Sequence, residues 1–162
     1  MKESKTYSLD EAHRYFAGSI NGEVWDLLSR QECSRLDDER LLAAAFASYY
    51  HWLHAGSVVN MQRGEHMIAR AFLVVNNYPE ALAHAKRCHE LTEDNATDMQ
   101  DFDVAYAFEI LARSSAASGF MDNALENSNK ARRAGEKIKG KEDNELFFGD
   151  FNGGDWYGIY PV

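Results

Sequence analysis

Apolar and small side chains recur at helical spacing along most of the chain, most clearly between Met61 and Glu93. The first predicted helix of this segment carries an apolar stripe at positions i, i+1 and i+4, formed by Ile68, Ala69 and Phe72. The second carries a stripe of small side chains, formed by Ala81, Ala85 and Cys88. Because small side chains let two helix backbones approach closely, this pattern predicts a tightly packed helix pair.

Polar turn residues separate these two helices. Asn76 and Asn77 interrupt the apolar pattern, and Pro79 follows at a position suited to the first turn of a helix, where a missing N–H costs nothing. Residues 60–93 are therefore predicted to form a helix hairpin.

A second copy of this hairpin is predicted over residues 99–138. Ala124 follows Ala81 by 43 residues, and Ala112 takes the small position on the preceding helix. Gly119 is placed to end that helix in a left-handed conformation. Two copies in register indicate a helical repeat rather than an isolated pair.

A first, degenerate helix pair is predicted over residues 8–55. Ser8, followed by acidic residues in the first turn, marks the start of one helix. Asp37 or Asp38 is expected to cap the next helix, which reaches about Ala55.

The last segment, residues 142–162, is rich in aromatic side chains and glycine. A short helix is predicted from Glu142 to Phe148, followed by an aromatic tail. Two interpretations of the tail stay open. It caps the end of its own helix stack, which would otherwise expose apolar surface, or it fills a neighbouring copy and makes a homo-oligomer.

The hairpin over residues 60–93 resembles a tetratricopeptide repeat, which pairs two helices over about 34 residues. The resemblance rests on positions where that repeat places small or aromatic side chains, namely Ala69, Phe72, Tyr78, Ala81 and Cys88. The chain departs from the repeat at Glu65, where tryptophan is usual, and at Glu93, where proline is usual. In size it is similar to small stand-alone bacterial members of the family.

The resemblance implies an all-α fold for a single domain spanning residues 1–162. Six or seven helices would form antiparallel hairpins stacked as a right-handed superhelix. It also implies a non-catalytic interaction module that binds a peptide or protein segment on its concave face. The first helices of the hairpins line that face, which nominates Arg63, Glu65, Arg70, Tyr106 and Arg113.

Composition narrows the expected partners. The net charge of −9 and the pI of about 5.1 would repel a phosphate backbone, so no nucleic-acid partner is expected. No apolar run approaches the roughly 20 residues that span a bilayer, and no signal peptide is recognised, so we expect no membrane association and a cytoplasmic location. No cofactor motif or catalytic motif is found, and an enzyme is not expected.

Glu65 lies on the apolar stripe of its helix and is therefore predicted to be partly buried. A buried carboxylate needs a partner, and the candidates are Arg63, Arg70, His84 and Arg87. Two interpretations stay open. The carboxylate belongs to a structural ion pair that sets the register of two helices, or it belongs to a polar pocket whose arginines bind an anionic small ligand.

His51 and His54, three residues apart on the second predicted helix, are candidate metal ligands, because neutral imidazole commonly binds transition metals. Together with Glu65 and His84 they define the alternative function: a small-ligand or metal-binding protein using a His/Glu/Arg cluster between helices two to four.

Overall fold

The computed structural model describes residues 6–30 and 32–160, and all regular secondary structure within them is α-helical. These residues form seven helices: α1 (Leu9–Leu28), α2 (Arg35–Ala55), α3 (Val58–Val74), α4 (Tyr78–Asp94), α5 (Asp101–Ala117), α6 (Met121–Gly135) and α7 (Lys141–Asn152). The prediction of an all-α fold with six or seven helices is confirmed. Each helix packs against the next one in the chain, and α5 also contacts α3 and α7.

The turns that close the two predicted hairpins have the same backbone geometry. Asn76, between α3 and α4, has φ 59°, and Gly119, between α5 and α6, has φ 84°. The N–H of Asn77 donates to the carbonyl of Phe72, and 43 residues later the N–H of Phe120 donates to that of Ser115, each over 2.9 Å. Both turns are therefore Schellman motifs, which satisfy the last carbonyls of the first helix and turn the chain back.

The small residues of the two hairpins lie in the interior. Ala81 and Ala124, the positions on which the repeat prediction depends, are both completely buried. The other small positions are equally buried, namely Ala69, Ala85, Cys88, Ala112 and Ala131. Helices α3 with α4, and α5 with α6, therefore meet across small side chains as predicted.

Capping boxes begin both helices of the first pair. Ser8 and Glu11 exchange hydrogen bonds at the start of α1. At the start of α2, the Ser34 hydroxyl accepts the N–H of Asp37, whose carboxylate accepts the N–H of Ser34 over 3.0 Å. The prediction that Asp37 or Asp38 caps α2 is therefore wrong. Ser34 is the cap, and Asp37 is the third helical residue that completes the box.

Helix α7 is longer than predicted and ends at Asn152 rather than near Phe148. The extension follows from burial, because Phe147 and Phe151 lie one turn apart and are both completely buried. After α7, Trp156 packs in the same apolar cluster as the alanines of α5 and α6, and its indole N–H donates to the carbonyl of Phe151 over 3.0 Å. The described part of the tail thus packs on its own chain, while a homo-oligomer through the tail stays a prediction.

None of the helices in the described ranges is long and apolar enough to cross a membrane.

Glycine at position 64 is required for the packing of α2 on α3. A Cβ at this position would clash with the ring of Tyr49, whereas a Cβ at Gly18 of α1 would meet no atom within 4 Å. We expect Gly64→Ala to lower the free energy of unfolding by about 1–3 kcal/mol, since the ring must shift in a packed interior. Urea unfolding followed by far-UV circular dichroism measures the change.

Gly18→Ala is the matched control. It should raise the free energy of unfolding by about 0.5–1 kcal/mol, because alanine loses less backbone entropy than glycine in a helix interior. Equal effects of the two substitutions would contradict this account of the α2–α3 contact.

Candidate functional site

A cavity of about 600 Å³ opens between α1, α3, α5 and α7, and we call it the groove. Its apolar walls are formed by Trp25, Met67, Phe102 and Leu146. Its polar lining is formed by Asn21, Gln62, Arg63, His66, Asp103, Tyr106, Asp143 and Asp150. Two neighbouring cavities share lining residues with the groove, so the concave surface continues on both sides of it.

Helical periodicity brings these side chains together. On α3 the lining residues lie at positions i, i+1, i+4 and i+5, namely Gln62, Arg63, His66 and Met67. On α5 they repeat this spacing, namely Phe102, Asp103 and Tyr106. Each of the two helices therefore turns one face towards the groove, while Gln62, at the edge of that face on α3, also reaches the hairpin partner α4.

Arg63 and Asp103 form a two-pronged ion pair between α3 and α5. The Arg63 Nε and Nη2 atoms donate to the two carboxylate oxygens of Asp103 over 2.8 and 3.0 Å. The Asp103 side chain is only 2% exposed. The Arg63 guanidinium also lies 4.9 Å from the centre of the Phe102 ring. The carboxylate of Asp103 therefore balances the positive charge of Arg63, and the pair fixes the position of α3 relative to α5.

Two buried polar atoms of the groove lining have no hydrogen-bond partner among the described residues: Gln62 Oε1 and His66 Nε2. The amide nitrogen of Gln62 donates to Thr92 Oγ1 over 3.0 Å and to the carbonyl of Asp103 over 3.3 Å, which leaves its oxygen as an unused acceptor. Burial, and then the charge of Arg70, lowers the pKa of His66 to about 3, so the imidazole is neutral at pH 7. Unpaired buried polar atoms are rare, and they favour a ligand that supplies the partner.

Tyr106, Asp150 and Arg70 link three helices at one edge of the groove. The Tyr106 hydroxyl donates to Asp150 Oδ2 over 2.7 Å, and Arg70 Nη1 lies 3.7 Å from the same oxygen. Burial, and then this bond to Asp150, raises the pKa of Tyr106 far above its ordinary value, which keeps the phenol protonated. The ring of His66 packs edge-on against Tyr106 at 5.5 Å.

Glu65 faces away from the groove, into the space between α2 and α4. It is 5% exposed, and His84 Nδ1 lies 2.6 Å from its Oε2 atom. Burial, and then a hydrogen bond to Glu65, raises the pKa of Tyr49 to about 12. Of the four partners that the sequence allowed, the structure selects His84, whose ring also packs on Phe46 and Phe72.

Arg113 holds the end of the chain. It is buried beside Glu109 in a close ion pair, and it donates to the carbonyls of Asp150, Gly153 and Asp155. Its guanidinium lies 4.0 Å from the centre of the Trp156 ring. The hydrogen bonds and the ion pair of Arg113 therefore hold residues 150–155 against α5.

The seven residues nominated as a binding set thus fall into separate places. Arg63 and Tyr106 line the groove, and Arg70 lines the neighbouring cavity together with Arg113. Glu65 and His84 form the internal pair described above. Arg87 of α4 makes an exposed ion pair with Glu90 over 3.2 Å.

The histidines proposed as metal ligands lie in a cluster that includes a third histidine. His13 Nδ1 lies 2.9 Å from His51 Nδ1, and the His13 ring stacks on that of His54 with centres 4.5 Å apart. Burial, and then the nearby His54 and His51, lowers the pKa of His13. Within the described residues, no group of three or more His, Cys, Asp or Glu side chains is arranged to hold a metal ion.

Of the twelve residues that line the groove, sequence reasoning nominated only Arg63 and Tyr106, and those it missed include Trp25, His66, Asp143 and Asp150. His66 could have been found, because it lies one turn from Arg63 on the face that the repeat turns inward. The aspartates belong to α7, which has no counterpart in the two hairpins. Only its position against α5 in three dimensions brings them to the groove.

Comparison of the chain with protein-family models, with curated proteins and with solved structures found no significant match in any of the three.

Replacing Arg113 should detach the tail and destabilise the fold. Arg113→Met leaves the buried Glu109 carboxylate without its cation and three carbonyls without their donor. We expect the free energy of unfolding to fall by about 3–5 kcal/mol, the usual cost of breaking a buried pair from one side. Urea unfolding measures the loss, and limited proteolysis should show faster cleavage after residue 150.

The double variant Glu109→Leu/Arg113→Met tests the cause. It should recover part of the loss, since it removes the uncompensated charge. Arg133→Met, at an exposed position of α6, is the control and should change stability by less than about 0.5 kcal/mol. A loss of the same size in the control would contradict the role of Arg113.

The buried His66 should make the fold sensitive to acid. Its pKa is about 3 in the folded protein and about 6.5 in the unfolded chain, so between these values the unfolded state binds more protons. Stability is therefore full above about pH 6.5 and falls as the pH is lowered, by up to about 1.4 kcal/mol per pH unit. In urea titrations from pH 7 to pH 4, His66→Gln should show a slope smaller by about that amount. Identical slopes for both proteins would contradict the prediction.

Proposed function

We propose that this chain is a tetratricopeptide-like interaction module, stacked in a right-handed sense, that binds an extended peptide or protein segment in the groove. The observation that carries the proposal is the pair of unused polar atoms, Gln62 Oε1 and His66 Nε2, in the lining of a groove that also has apolar walls. An extended segment supplies both apolar side chains and backbone N–H and C=O groups, which is the mixture that such a lining can bind.

The arrangement of the helices supports the repeat part of the proposal. The first helices of the two hairpins, α3 and α5, lie side by side, and the equivalent positions Arg63 and Tyr106, 43 residues apart, both line the groove. Their closing turns, at Asn76 and Gly119, have the same geometry and the same spacing from the buried Ala81 and Ala124.

The alternative, a small-ligand or metal site between helices two to four, receives less support from the geometry. Glu65 is already paired with His84 over 2.6 Å, and its carboxylate contributes to the raised pKa of Tyr49. A carboxylate bonded in this way has the contacts expected of a structural element that sets helix register.

Selection of peptides from a random displayed library, followed by affinity measurements on the selected sequences, tests the proposal. Leu146→Gln removes an apolar wall residue that is 63% exposed, so the fold should tolerate it. We expect the dissociation constants of selected peptides, measured by fluorescence anisotropy, to rise about tenfold.

Leu36→Gln is the matched control, since Leu36 of α2 is 64% exposed and lies outside the residues that line the groove. It should leave the affinities unchanged. Failure to select any peptide, or equal losses in both variants, would overturn the proposal.

A further inference from the structure

The α7 side of the groove carries negative charge that is only partly matched. Asp143 and Asp150 lie seven residues apart, two helical turns, on the face of α7 that also presents Leu146 to the groove. Asp143 is exposed and has no hydrogen bond or ion pair with the described residues. Asp150 shares one carboxylate oxygen between the Tyr106 hydroxyl and the more distant Arg70.

The arginines near the groove neutralise this wall only in part. Arg63 is paired with Asp103 through its Nε and Nη2 atoms, so that pair contributes no net charge. Arg70 Nη1 is 3.7 Å from Asp150, beyond hydrogen-bond distance, and the guanidinium lies 5.8 Å from the centre of the Trp25 ring. Arg70 is therefore the one nearby arginine left to balance the carboxylates of Asp143 and Asp150 among the described residues. The net charge of the chain is −9.

The rest of the groove lining supplies apolar surface and an unused acceptor. Trp25 and Phe102 line the same cavity as the α7 carboxylates, and the guanidinium groups of Arg70 and Arg63 already lie 5.8 and 4.9 Å from the centres of their rings, so the rings offer apolar contact to a ligand. Gln62 Oε1 is buried and lacks a donor, so this part of the lining favours a ligand with N–H groups. Carboxylates, apolar side chains and an acceptor around one cavity suit a basic side chain on a partly apolar peptide.

We propose that the segment bound in the groove carries a lysine or arginine side chain whose cation lies against Asp143 and Asp150, beside an apolar side chain that contacts Trp25 and Leu146. This inference rests on the proposed function, because it specifies the chemistry of the peptide that the same groove would take. The occupant is a basic, partly apolar protein segment, and charge complementarity selects it over an acidic one.

Three fluorescein-labelled peptides test the inference by anisotropy at low and at physiological salt. One alternates leucine and lysine, and its twins carry glutamine or glutamate in place of every lysine. The lysine peptide should bind most tightly and the glutamate peptide least. Asp143→Asn should weaken the lysine peptide about threefold to fivefold, as expected for one exposed charge pair, and leave the glutamine peptide unchanged.

Glu142→Gln is the matched control. Glu142 is the neighbouring exposed carboxylate on α7, it does not line the groove, and its replacement changes the net charge by the same amount. It should affect the lysine peptide much less than Asp143→Asn does. Equal effects of the two variants would show that only the overall negative field attracts the peptide, and would overturn the inference.

The failures of the two proposals are distinguishable. If the three peptides bind alike and Leu146→Gln weakens all of them, the basic specificity is wrong and the peptide groove stands. If none of the three binds, or if binding is insensitive to Leu146→Gln, both proposals are overturned.

Discussion

Close approach of helix backbones is the constraint on which the rest of this structure depends. Where α3 meets α4, and where α5 meets α6, completely buried alanine and cysteine side chains leave little room between the helices. The rings of Tyr49 and Phe147 lie against the glycines at positions 64 and 135. Helices α3 and α5 each have a further face that is not covered by the hairpin partner, and these two faces line the groove together with α1 and α7.

Buried charge adds specificity to this packing. Arg63 with Asp103 joins α3 to α5, and Glu65 with His84 joins α3 to α4. Alanine contacts alone would tolerate a slide along the helix axis, whereas a buried ionic group must keep its partner or become very costly. The pairs therefore favour one register. They also mean that polar groups are present in the interior, and at the groove some of them remain available to a ligand.

The hairpins were predicted well from the sequence because the residues that indicate them, the turn residues and the small side chains, lie close together in the chain. Ala81 and Ala124 lie at one spacing from their turns, and that spacing is visible without coordinates. The cap of α2 was misassigned because Asp37 is itself a good capping residue, and only the exchange of hydrogen bonds shows that Ser34 precedes the helix. The partner of Glu65 could not be chosen from four candidates, since that choice depends on which face of α4 turns inward. The α7 side of the groove was missed because α7 repeats nothing earlier in the chain.

The shell around Arg113 has a consequence for how the protein is made. A ribosome adds residues from the amino end, and domains tend to fold as units during synthesis. The helix that carries Arg113 and Glu109 is complete long before the carbonyls of Asp150, Gly153 and Asp155 emerge. Until then the arginine has no backbone acceptors to bury against, so α5 cannot reach its final surroundings. Residues 150–155 therefore complete the surroundings of this ion pair, because without them Arg113 would lose the three carbonyls to which it donates.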